Sequence, residues 1–61
     1  MQTNWGLSKI GGKLYKIIGS SSKEIIESCN FYIYSDDLYI RKEALILMIK
    51  EISNVIRKNH T

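Results

Sequence analysis

The last third of the chain carries more apolar surface than one intramolecular neighbour can cover. From Asp36 to Lys58 it runs Asp-Asp-Leu-Tyr-Ile-Arg-Lys-Glu-Ala-Leu-Ile-Leu-Met-Ile-Lys-Glu-Ile-Ser-Asn-Val-Ile-Arg-Lys, with no glycine or proline to interrupt a single long helix. At 100° per residue with Leu38 at zero, Leu45, Met48, Ile49, Ile52 and Ile56 fall between about 280° and 20°, the stripe expected to face the chain's own core. Ile40, Ala44 and Leu47 fall at about 180–240° and widen the apolar arc to about 200°, whereas a helix lying on one neighbour needs little more than 100°. The excess calls for a partner.

Size points the same way. A chain of 61 residues buries only about 60% of its unfolded surface, so it needs help from a metal, disulfides or association. Cys29 is the only cysteine and His60 the only histidine, so neither an internal bridge nor a structural zinc site can be built. No cofactor is expected, and association remains. Nine basic and six acidic side chains leave a net charge of +3, with no block of like charges to name a nucleic-acid or membrane partner. No apolar run approaches the roughly 18 residues of a membrane span and no signal-peptide pattern opens the chain, so the expected compartment is cytoplasmic and reducing.

Helical spacing recurs upstream. Leu7, Ile10, Leu14, Ile17 and Ile18 share an arc of about 100° flanked by Lys9, Lys13 and Lys16, which predicts an amphipathic helix over residues 5–18. Gly11 and Gly12 each weaken it by about 1 kcal/mol relative to alanine, so it should form only against something else. Gly19 suits the left-handed position past a helix end, and Ser21-Ser22-Lys23-Glu24 is a capping box that opens a second helix over 22–34. Ile25, Ile26, Cys29, Tyr32 and Ile33 share its inner face, which turns Phe31 and Tyr34 outward. Asn30 to Tyr34 also suits a strand by composition, but the chain offers no second strand to pair with it. Asp36 and Asp37 then cap a third helix over 36–58, whose far end carries Arg57 and Lys58 in keeping with the helix dipole. The expected fold is all-α: one domain over 1–61, a small three-helix unit that completes its core with a partner helix.

Catalysis has little to draw on. Glu24 and Glu27 are spaced as a solvated helix face, Cys29 sits on an apolar stripe without an activating base, and Gly11-Gly12 lacks the spacing of a nucleotide-binding loop. An enzyme is not expected. Trp5 beside Lys9, Lys13 and Lys16 has the makings of a peripheral membrane helix, although three lysines supply only modest attraction to lipid and packing accounts for them better. Asn4-Trp5-Gly6-Leu7 with Ile10 and Tyr15, followed by a capped helix, is similar to the opening of winged-helix regulators, so the alternative function is a small helix-turn-helix DNA-binding regulator. A reading helix would need an exposed basic or amide face. Here Glu43, Glu51 and Asn54 alternate with Lys42, Lys50 and Arg57, a mixed face expected to lie in solvent.

The segment Lys42-Glu43-Ala44-Leu45-Ile46-Leu47-Met48-Ile49-Lys50-Glu51-Ile52 resembles the signature of mitotic-spindle organising proteins of the Mozart type, with Glu43, Ala44, Leu45, Ile49, Lys50, Glu51 and Ile52 on matching positions. Leu14 to Ile18, the serine turn and Glu24 to Cys29 are similar in order to that family's first two helices, so the resemblance spans about Leu14 to Lys58. Lys42 stands where the family has proline, and about three extra residues occupy the region of Ser35 to Leu38. The resemblance implies a non-catalytic adaptor at the microtubule-organising centre that binds the N-terminal helical region of a gamma-tubulin complex protein and supports assembly of the nucleating complex. The partner-binding residues expected are Ile40, Ala44 and Leu47 on the second apolar face, Met48 at the edge of the first, and Phe31 and Tyr34 projecting from the second helix, leaving Leu45, Ile49, Ile52 and Ile56 for the core.

Overall fold

The computed structural model describes residues 6–60. They form β1 (Leu7–Ile10), β2 (Lys13–Lys16), α1 (Ser22–Tyr32) and α2 (Leu38–His60). The segment expected to be the first helix is a β-hairpin. Gly11 and Gly12 hold φ angles of 58° and 81°, and the pairing of Ile10 with Lys13 leaves only these two residues in the loop, a short connection of the kind whose type I′ form requires positive φ at both positions. A helix would hold both glycines at a combined penalty of about 2 kcal/mol, whereas the turn uses their conformational freedom. Leu7 faces Lys16 and Lys9 faces Leu14 across the antiparallel ladder. Strand alternation therefore puts Leu7 and Leu14 on one face, where both are buried, and Ser8, Tyr15, Ile10 and Lys13 on the other.

The all-α, three-helix expectation is thus overturned: the described chain is a two-stranded hairpin packed on two helices. The lysine flank of the supposed first helix goes with it, since Lys9 and Lys16 share one hairpin face and Lys13 lies on the other. Trp5, the other element of the membrane reading, lies outside the described residues. Gly19 has the positive φ anticipated for it, 90°, but in the turn that leads from β2 into α1 and not at a helix end.

Both helices start where their caps dictate. The Ser21 hydroxyl accepts from the Glu24 amide at 3.2 Å, and the Ser21 amide donates to Glu24 Oε1 at 2.9 Å, the reciprocal pair of a capping box. The helical run reaches Tyr32 with Ile33 as its C-cap, so it stops short of the expected residue 34, and no strand forms over 30–34. Asp37 Oδ1 then accepts from the Tyr39 amide at 2.9 Å and caps α2, which therefore runs over Leu38–His60 and not over the expected residues 36–58. The Arg41 guanidinium donates twice to the Ser35 carbonyl, at 3.2 and 3.0 Å, and ties the short connection to the first turn of α2.

The core unites Leu7, Leu14, Ile25, Cys29, Tyr32, Ile40 and Ala44, with Ile33, Leu47 and Met48 packed against it. This reverses the expected sidedness of α2. Ile40 and Ala44 have no exposed surface and hold the core, while Leu45, Ile49, Ile52 and Ile56 lie outward. Two acidic residues explain the choice. Glu51, on the same side as Ile40, Ala44 and Leu47 at about 180–240°, is buried but fully engaged by its neighbours, and the half-buried Glu43 caps a free strand amide. Turning α2 over would discard both arrangements.

Candidate functional site: an apolar seam on the long helix

Outward on α2 runs a continuous aliphatic line. Leu38, Leu45, Ile49, Ile52 and Ile56 keep between 41% and 70% of their surface exposed, and Ile46 flanks them at 47%. From Leu45 onward the intervals are four, three and four residues, and Leu38 lies seven residues before Leu45. These are heptad spacings, with Leu38, Leu45 and Ile52 at one core position and Lys42, Ile49 and Ile56 at the other. At 100° per residue the line occupies about 320–20°, roughly opposite the face that holds the core. A helix apolar on two sides has one side left to cover.

Of the six residues expected to contact a partner, the structure brings only two to the surface. Phe31 and Tyr34 are exposed, and the Phe31 ring meets Tyr32 edge-on at a centroid distance of 5.1 Å. Ile40 and Ala44 are sealed in the core, so their outward placement is corrected, while Leu47 and Met48 are packed against the core and remain half-buried. The site the helical reading missed is the very stripe it assigned to the interior.

Behind the seam, carboxylates hold α2 in this orientation. The Leu14 backbone N–H, which the strand ladder leaves pointing off the edge of β2, donates to Glu43 Oε1 at 2.8 Å. The neighbouring Glu43 carboxylate, by hydrogen bonding and by its charge, holds the Tyr39 phenol neutral to higher pH than usual. Glu51 is 6% exposed. The Ser22 hydroxyl donates to its Oε2 at 2.6 Å, and the Lys16 ammonium lies 3.4 Å from Oε1. One carboxylate thereby joins β2, α1 and α2. The Ser22 hydrogen bond, more than the Lys16 charge, holds its pKa below the ordinary carboxylate value, against the opposing effect of burial.

A lowered folded pKa means that the stabilising contribution is present above the unfolded pKa and is lost as pH falls through the folded one. Glu51→Gln should therefore lose about 1–3 kcal/mol at neutral pH, the range for disturbing a buried charge-assisted hydrogen bond. It should also show a shallower decline in stability on acidification than the parent. Urea titrations across the acid range, followed by circular dichroism, measure both effects. Equal acid dependence in the two proteins would remove Glu51 as the carboxylate responsible.

No reactive centre emerges from the remaining titratable groups of this region. Burial, and secondarily the charge of Glu51, push the Cys29 thiol above its ordinary value, so the thiolate needed for nucleophilic or redox chemistry is disfavoured. A cleft of about 750 Å³ opens beside Glu51, between Ile17, Ile18, Arg57 and Lys58. Its buried carboxylate is already bonded to Ser22 and Lys16. Among the described residues no group of three His, Cys, Asp or Glu side chains is placed to hold a metal ion, and no helix is long and apolar enough to cross a membrane. No known protein family matches the chain, and neither does any curated protein or solved structure.

Proposed function

We propose that the chain is a non-catalytic interaction module that docks an amphipathic protein helix along the outward face of α2. The observation that carries this reading is the exposed line Leu38, Leu45, Ile49, Ile52 and Ile56 on a helix whose opposite side already holds the core. Burying such side chains is worth about 1.5–3 kcal/mol each before ordering costs, enough to support a specific helix-in-groove contact. Glu43 and Glu51, which a catalytic reading would need free, are engaged in holding the hairpin and α1 against α2.

The Mozart-type resemblance supplies one partner to try, the N-terminal helical region of a gamma-tubulin complex protein. Its segment from Glu43 to Ile52 lies within α2, whereas Leu14 to Lys16, matched to the family's first helix, belongs to a strand. The proposal therefore rests on the seam and takes only the candidate partner from the resemblance. Co-expression with such a region should yield a soluble stoichiometric complex that Ile49→Lys abolishes while the isolated variant keeps its helicity. Persistence of a partner complex in the folded variant would show that the seam is not the docking surface.

The DNA-binding alternative makes a separate prediction. Phosphate neutralisation gives affinity that falls steeply with salt, whereas an apolar helix interface responds weakly. The chain should show no appreciable binding to duplex DNA at physiological ionic strength in an electrophoretic or anisotropy assay. A sequence-selective complex with a steep salt dependence would reverse the ranking.

A further inference from the structure

We infer that the helix which covers the seam is α2 of a second copy, paired antiparallel about a two-fold axis near residues 50 and 51. The inference rests on the docking reading above and names its occupant; a heterologous helix would then bind by displacing that copy. Heptad register decides the orientation. In an antiparallel pair each core position packs against the other kind, so Ile49 meets Ile52 of the second copy, Leu45 meets Ile56, and Lys42 meets Asn59. The apolar residues then oppose one another in four central layers, and the two polar core positions are paired with each other at the ends. Met48 and Val55, both half-buried along one margin, fall opposite each other, as do Ile46 and Ser53 on the other margin.

A parallel pair would instead stack Lys42 directly on Lys42, an uncompensated like-charge contact in the seam. The antiparallel register also carries Lys42 to the last turn of the neighbouring helix, where unpaired carbonyls and the negative end of the dipole favour a cation. Arg57 and Lys58 of that turn sit at about 100° and 200° around the helix, away from the seam. Residues 41–60 of each helix overlap in this register, and Leu38 extends beyond the overlap. The partly exposed stripe with its margins offers on the order of 600 Å² per chain, which puts the pair at the lower edge of specific interfaces. That area belongs to a dimer whose association depends on concentration.

Sedimentation equilibrium of the full chain over a concentration series tests the assembly, and disulfide trapping tests its orientation. The expected result is a monomer–dimer equilibrium in which Ile49→Lys raises the dissociation constant on the order of 100-fold without loss of helicity. Chains carrying Lys42→Cys and Asn59→Cys, mixed and oxidised, should form the mixed disulfide, while Lys42→Cys alone should not join to itself; native Cys29 is buried and stays out of the exchange. Self-joining of Lys42→Cys would overturn the antiparallel register and leave helix docking standing. A chain that remains monomeric at its highest soluble concentration would overturn self-pairing. In that case, loss of the co-expressed helical partner in Ile49→Lys still upholds the docking face, and retention of that partner removes both readings.

Discussion

Ile40→Ala should destabilise the chain by about 2–5 kcal/mol, the range for truncating a fully buried aliphatic side chain, whereas Ile49→Ala should change stability by no more than about 0.5 kcal/mol in the dilute monomer. The two residues belong to one helix and have the same chemistry. Ile40 has no exposed surface, and Ile49 keeps 65% of its own. A domain of this size rarely holds more than about 3–5 kcal/mol of net stability, so the first substitution should leave a large unfolded fraction at 25 °C. Alanine at the second position even gains slightly in helix propensity. Chemical denaturation followed by far-UV circular dichroism reads both variants. The opposite order, with Ile49→Ala unfolding the chain and Ile40→Ala tolerated, would mean that α2 presents its other side to the hairpin and α1.

Gly6→Ala should be comparably damaging although it adds a single methyl group. A Cβ at Gly6 would sit 2.5 Å from the Glu24 carbonyl oxygen, 2.6 Å from its carbon and 2.8 Å from the Ile25 nitrogen. All three are backbone atoms of α1, so no side chain can swing aside to relieve the clash. The φ of 87° adds about 1–2 kcal/mol for any residue bearing a Cβ, and overpacking adds about 1–3 kcal/mol. The base of the hairpin would have to lift from α1, which strains the Gly6 carbonyl that accepts from the Ile17 amide at 3.0 Å and the buried Leu7 beside it. Gly11→Ala is the control. Its φ is also positive, but nothing lies within 4 Å of the added carbon, so only the backbone penalty should appear. Thermal unfolding of the pair separates the two effects, and equal destabilisation would show that the hairpin base does not press on α1 as closely as described.

Local chemistry was enough for the start of α1 and, to within two residues, for that of α2. Ser21 with Glu24, and Asp37 ahead of an uninterrupted run, satisfy amides within three residues of themselves, so their hydrogen bonds follow from adjacent sequence. The hairpin was legible in principle. Gly11-Gly12 lies between Leu7-Ser8-Lys9-Ile10 and Lys13-Leu14-Tyr15-Lys16, which is a two-residue turn signal between short strands. It was obscured because Leu7, Ile10, Leu14, Ile17 and Ile18 also fit a helical arc, and four-residue strands contain too few positions for a period of two to outweigh a period of 3.6.

The sequence by itself determined that α2 would be apolar over about 200° and would carry more such surface than its neighbours could cover. It also determined a heptad line along one side, and a size that makes association useful. Only the tertiary structure decided which side faces inward. The two faces are comparably aliphatic, so burial alone hardly separates them. The separation comes from bonds between residues 29 positions apart, Leu14 with Glu43 and Ser22 with Glu51. These bonds exist only once the hairpin and α1 have closed on α2, because a carboxylate tolerates burial only where donors are already arranged to meet it. That condition turned Ile40 and Ala44 inward and left Leu45, Ile49, Ile52 and Ile56 for a partner.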